Sequence, residues 1–137
     1  MKNTHKPKLR FDNQQFDINT INWREVFIGL GRYILKCMDA RGGGAYLELF
    51  HFCEECGIDK KIARVKIDRH EFEDLLKDPE IRAQAKNIQG LVELYATIIV
   101  DLLKEHFLGG GSGIEVVIEI SAAPLASSLN DYAKNLN

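Results

Sequence analysis

Apolar residues recur at helical spacing through the second half of the chain, where Ile81, Ala85, Ile88, Val92, Tyr95, Ile99 and Leu102 form one stripe. Leu91, Leu94, Ile98 and Leu103 widen that stripe beyond what a surface helix needs. Gln89, Glu93, Thr97, Asp101 and Glu105 fall four apart along a single polar edge. The pattern predicts a long buried central helix between Asp78 and Leu108, opened by Pro79 at its first position, with Ile99 at the middle of the core. Glu93 and Asp101 interrupt the apolar run, which is too short to cross a bilayer.

Two further helices are predicted upstream. Trp23, Phe27, Leu30, Ile34 and Met38 share a face over 23–40, and Asn22 with Glu25 supplies a capping box. Gly29 and Gly31 lie inside this helix, each costing about 1 kcal/mol relative to Ala, which predicts the close approach of another backbone as compensation. The run Arg41-Gly42-Gly43-Gly44 reads as a turn into a helix over 45–56, with Tyr46, Leu49, Phe50 and Cys53 on one side and Gly57 as a left-handed cap.

Elsewhere the period changes to two. Leu9 and Phe11, then Phe16 and Ile18, alternate on either side of Asp12-Asn13 and predict a hairpin over 8–18. Ala63, Val65 and Ile67 alternate with Arg64 and Lys66, predicting a strand at 62–67. Asp68 with Glu71 makes a second capping box, starting a helix at Arg69 that ends near Lys77. Ile114, Val116, Ile118 and Ile120 alternate with Glu115 and Glu119 and predict a strand over 114–120. Leu125, Leu129, Tyr132 and Leu136 mark a C-terminal amphipathic helix after Pro124.

These elements predict an α+β fold: a mainly helical single domain over 1–137, with a long buried central helix and a small, mostly antiparallel sheet from 8–18, 62–67 and 114–120. Residues 1–7 are expected to be disordered or extended. Residues 109–113, Gly-Gly-Gly-Ser-Gly, read either as a natural loop or as an artificial linker.

Composition narrows the class. A hydrophobic fraction of 45% over 137 residues is enough to bury a core without disulfides or metals. A net charge of −2 gives no global attraction to nucleic acid or to acidic membranes, and no membrane partner is expected. Three cysteines with no framework spacing point to free thiols in a reducing compartment. No apolar segment follows the basic stretch Met1–Arg10, so a cytoplasmic location is expected.

Candidate chemistry is sparse. On the predicted 45–56 helix, His51 and Cys53 stand about 200° apart, so His51, Cys53 and Cys56 cannot converge on one ion. Core packing is the expected role of these thiols, and neither metal nor cofactor is expected. Lys60, Lys61, Arg64, Lys66, Arg69 and His70 form a local basic segment of the kind that contacts phosphates. Along the chain no aromatic residue interleaves with these lysines, and Glu71, Glu73, Asp74, Asp78 and Glu80 follow at once. The spacing of Arg64 and His70 resembles the Arg-x5-His motif of HEPN-type ribonucleases, a family that implies a helical bundle paired across a dimer interface; here the intervening residues alternate as a strand does.

Two readings follow. The first is a non-enzymatic protein–protein interaction or regulatory protein that self-associates and has an unidentified protein partner. The second is a nucleic-acid-binding protein or small RNase using the 60–70 segment. Self-association as a homodimer follows from the 114–120 strand, whose edge needs a partner, and from the apolar stripe Leu125, Leu129, Tyr132 and Leu136 beside it. Equilibrium sedimentation at tens of micromolar is expected to show a dimer. A folded Leu129→Asp, Tyr132→Asp variant is expected to be monomeric, and a monomeric wild type refutes the pairing.

Overall fold

The computed structural model describes residues 6–40, 45–109 and 118–120, the last three by backbone alone. In chain order the elements are β1 (Lys8–Phe11), β2 (Gln14–Asp17), α1 (Trp23–Met38), β3 (Ala45–Cys53), β4 (Ile58–Ile67), α2 (Arg69–Leu75), α3 (Pro79–Gln84), α4 (Ile88–Leu108) and β5 (Ile118–Ile120). They form one sheet of order β2-β1-β3-β4-β5, with β3 at its centre. The first four strands are antiparallel, and β5 adds to β4 in parallel after the crossover through α2, α3 and α4. The fold is α+β, as expected.

The predicted hairpin over 8–18 is present. Asp12 and Asn13 both have positive φ, 45° and 65°, the backbone that a two-residue turn needs to match the twist of its strands. Asn22 caps α1 and Asp68 caps α2, each side chain accepting a hydrogen bond from a backbone N–H two residues on. Ala63, Val65 and Ile67 do belong to a strand, which extends back to Ile58.

Three expectations are corrected. Residues 45–56 are not a helix: Leu47, Leu49 and Cys53 alternate with Tyr46, Glu48, Phe50 and Phe52 in β3, and the helical spacing of Tyr46, Leu49, Phe50 and Cys53 was a second period in the same letters. A stretch this rich in aromatic residues favours the pleated conformation once β4 and β1 flank it. Gly57 has φ +68° as a left-handed residue should, but it turns a β-hairpin instead of ending a helix. The stretch 78–108 is two helices, because Ala85 is extended and the Asn87 side chain caps a new start by accepting from the Gly90 N–H. Leu102, assigned above to the buried stripe, is exposed.

The core lies on one face of the sheet. α1 packs on β3 and β4 and runs beside α4, with Gly31 facing Val92 and Trp23 facing Lys104, an antiparallel arrangement. Leu9, Phe11, Leu47, Leu49, Val65 and Ile67 from the sheet meet Val26, Leu30 and Ile34 from α1 in one cluster, together with Leu91, Val92, Tyr95 and Ile99 from α4. Ile99 is 2% exposed. The ring of Phe72 rests 4.5 Å from that of Tyr95 and ties α2 to α4. Beyond the end of β1, the Glu48 N–H donates to the Tyr33 hydroxyl, which keeps that backbone group satisfied. Gln89, Glu93, Asp101 and Glu105 are exposed, as the polar edge requires. No helix among the described residues is long and apolar enough to cross a membrane.

The two helix glycines differ. A Cβ on Gly29 would lie 3.0 Å from Gln14 Oε1 and 3.3 Å from Cζ of the buried Phe11 ring, so the close approach is by side chains and not by a backbone. A Cβ on Gly31 would touch only Val92 Cγ1, at 3.9 Å. Gly31→Ala is expected to stabilise the protein by about 0.5–1 kcal/mol in urea denaturation, the ordinary helix gain, whereas Gly29→Ala gains nothing because Phe11 must shift.

Candidate functional site

Strand pairing gives the sheet a second face with a different character. Register sets Tyr46 beside Lys66, Glu48 beside Arg64, Phe50 beside both Lys61 and Arg10, and Phe52 beside Lys8 and Asp59. Residues directly opposite each other share a face, so these side chains all lie on the side away from α1. Tyr46 is 44% exposed, and Phe50 and Phe52 are half-buried.

A bulge in β4 completes this arrangement. Leu49 pairs with Ala63 but Phe50 pairs with Lys61, leaving Ile62 as the extra residue. Strict alternation from Arg64 and Lys66 would carry Ile62 to the open face and Lys61 to the core. The bulge reverses both: Ile62 is buried, and Lys61 joins Arg64 and Lys66.

The rings and cations are in contact. The Arg64 guanidinium lies 3.6 Å from the centre of the Tyr46 ring, and that of Arg10 lies 4.7 Å from Phe50 and 5.5 Å from Phe52. Lys61 Nζ stands 5.9 Å from the Phe50 ring. Arg10 also pairs with Asp59 at 2.7 Å, while Glu48 pairs with Lys61 and lies 3.9 Å from Arg64 Nε. Lys8, Arg10, Lys61, Arg64 and Lys66 outnumber Asp17, Glu48 and Asp59 with Glu119, the β5 residue in register with Arg64. The face thus has a small excess of cations on a chain whose net charge is −2.

Of the six basic-segment residues singled out from sequence, Lys61, Arg64 and Lys66 come together here. Lys60 is on the other side of β4, in register with His51. Arg69 opens α2 and pairs with Asp39 at 2.6 Å, and His70 is exposed on the first turn of the same helix. Arg64 is on a strand rather than in a helical bundle, so the ribonuclease-like spacing lacks the setting its resemblance implied. Lys8 and Arg10, which with Lys2 and Lys6 form a second basic cluster in the sequence, join this face through β1, whereas sequence reasoning missed Tyr46, Phe50 and Phe52 as part of it. Their signal was the alternation in 46–52, hidden while that stretch was read as helix. The proposed interface residues Leu125, Leu129, Tyr132 and Leu136 lie outside the described residues, as do 1–5 and 110–117.

At the far end of β3 two histidines meet. His51 Nδ1 and His106 Nε2 are 3.0 Å apart, with the Phe107 ring 4.8 Å from that of His51. One nitrogen donates and the other accepts, so the contact requires at least one neutral imidazole at that junction. His51 and Cys53 are two apart on a strand and therefore share a face, contrary to the helical reading that set them on opposite sides. Among the described residues, no group of three or more His, Cys, Asp or Glu could hold a metal ion.

Compared with protein-family models, with curated proteins and with solved structures, the chain matches none of them.

Burial holds His106 below the ordinary histidine value of 6.5. Between its depressed value and 6.5 the unfolded chain binds the extra proton, so this contribution to stability is full above 6.5 and is lost as pH falls through the folded value. The urea midpoint is expected to drop between pH 7.5 and 5.5, and His106→Gln is expected to flatten that drop. An unchanged slope in the variant refutes this role.

Proposed function

We propose that this protein is a non-enzymatic binding module whose partner is single-stranded nucleic acid, held on the open face of the sheet. The observation that carries this reading is the row Tyr46, Phe50 and Phe52 on the central strand, each ring flanked by a cation from a neighbouring strand. Folding alone does not ask for three aromatic rings on the side of a strand away from the core. Unpaired bases do, because every base has a flat face that stacks on a ring, and stacking contributes about 1–3 kcal/mol per base.

The spacing suits an extended strand of nucleotides. Phe50 and Phe52 are two residues apart on one strand, which separates their rings by about 7 Å, roughly the reach of one unstacked nucleotide step. Lys61, Arg64 and Lys66 line β4 on one side, and Lys8 and Arg10 line β1 on the other, so cations border the row of rings on both sides. A base that takes the place of a guanidinium over Tyr46 or Phe50 releases that arginine toward a phosphate. Glu48 and Asp59 hold Lys61 and Arg10 until a phosphate replaces them, which makes affinity depend on salt. Duplex nucleic acid hides its base faces and gains nothing from the rings.

Fluorescence anisotropy with labelled 12-nucleotide single strands tests the reading. Wild type is expected to bind at low salt and to prefer single strand over duplex. Phe50→Ala and Phe52→Ala are each expected to weaken binding by roughly 5- to 100-fold, the range that loss of one stacked base allows. A Lys61→Ala, Arg64→Ala, Lys66→Ala variant is expected to bind more weakly with a shallower salt dependence. Absence of binding at 50 mM salt, or aromatic variants that bind like wild type, overturns it.

A further inference from the structure

The tip of the β3–β4 hairpin lies beyond the residues that form the open face. Cys53 is the last residue of β3 and pairs across to Ile58, so the tip is Glu54-Glu55-Cys56-Gly57. Gly57 takes φ +68° and donates its N–H to the Glu54 carbonyl at 3.1 Å, a tight reversal that carries Cys56 back toward Cys53. Cys53 and Cys56 therefore flank one tight reversal, three residues apart. Cys53 also donates to Glu55 Oε2, at 3.7 Å. Their exposures are opposite: Cys53 is 0% exposed, while Cys56 is exposed. Cys37, the third cysteine, is buried in the core on α1.

We propose that Cys53 and Cys56 are a reactive dithiol that closes to a disulfide by exchange with small-molecule disulfides, Cys56 acting as the entry thiol and Cys53 as the resolving thiol. The division follows from access. Among the three cysteines Cys56 is the exposed one, and Cys53, at the base of the same turn, is its neighbour in the fold, while Cys37 is buried on α1. Cys56 gives up its proton to water, and its thiolate attacks one sulfur of the incoming disulfide. That S–S bond breaks, one small thiol leaves and takes up a proton, and Cys56 is held in a mixed disulfide. Cys53 then passes its proton to Glu55 and on to water, and its sulfur attacks that of Cys56. The second small thiol leaves with a proton. Two protein thiols have been oxidised to one disulfide, and one small disulfide has been reduced to two thiols.

Geometry favours this chemistry over metal capture at the same tip. An ion needs more ligands than this pair supplies and a route to a sulfur that solvent does not touch, whereas a disulfide needs only two cysteines that one tight turn brings together. A hydrogen bond to Cys53, desolvation and the neighbouring Glu55 carboxylate push the Cys56 thiol up, so the thiolate that begins the exchange forms more readily as pH rises.

Oxidised glutathione is the probe, with the reduced full-length protein at pH 8 read by intact mass and peptide mapping. Wild type is expected to lose two hydrogen atoms, with the bond mapped between Cys53 and Cys56 and no lasting glutathione adduct. Cys53→Ser is expected to stop at a stable adduct on Cys56. Cys56→Ser, a change at an exposed turn position that leaves the core intact, is expected to react at least tenfold more slowly, because its remaining tip thiol is shielded. A persistent adduct on wild type, a bond to Cys37, no reaction, or a Cys56→Ser variant that reacts as fast as wild type each overturns the proposal.

Discussion

The pairing of β3 with β4 is the contact on which the rest depends. β3 is the central strand, so its alternation decides what both faces of the sheet carry. Leu47, Leu49 and Cys53 point inward, with Leu47 and Leu49 in the same cluster as the side chains of α1. The same alternation necessarily sends Tyr46, Glu48, Phe50 and Phe52 outward. A shift of one residue would bury Glu48 and expose Leu47 and Leu49, and the loss of apolar burial makes that register far less stable. The open face is therefore a by-product of the same constraint that builds the core, yet its aromatic content is not explained by that constraint.

The bulge at Ile62 shows how closely the two faces are coupled. One extra residue in β4 resolves a conflict between burying an isoleucine and exposing a lysine. Its consequence reaches the opposite surface, where Lys61 and Arg64 flank Glu48 and both contact aromatic rings. Removing the bulge would cost the core a buried side chain and the open face a cation in one step.

The ends of the hairpin carry separate chemistry. His51 near the end of β3 meets His106 at the end of α4, where burial disfavours the charged form of His106. Cys53 ends β3 just beyond, and Cys56 lies in the turn that follows. The histidine pair joins residues 55 positions apart, which a linear reading separates.

Local features of the sequence determined local structure well. Asp12-Asn13 specified its turn, Asn22 and Asp68 specified helix starts, and the polar edge of α4 was visible in residues four apart, because each depends on neighbours within a few positions. The class of the fold and the burial of Ile99 were likewise legible. Residues 45–56 were not, because their apolar positions fit a period near 3.6 and a period of 2 at once. Only the flanking strands, distant in sequence, made the second period the stable one. The open face could not be read from the chain for the same reason: Arg10, Phe50 and Lys61 are far apart in sequence and become neighbours only through strand register. Alternation assigns residues to faces, but which strands lie side by side, and therefore which rings meet which cations, is settled by tertiary pairing alone.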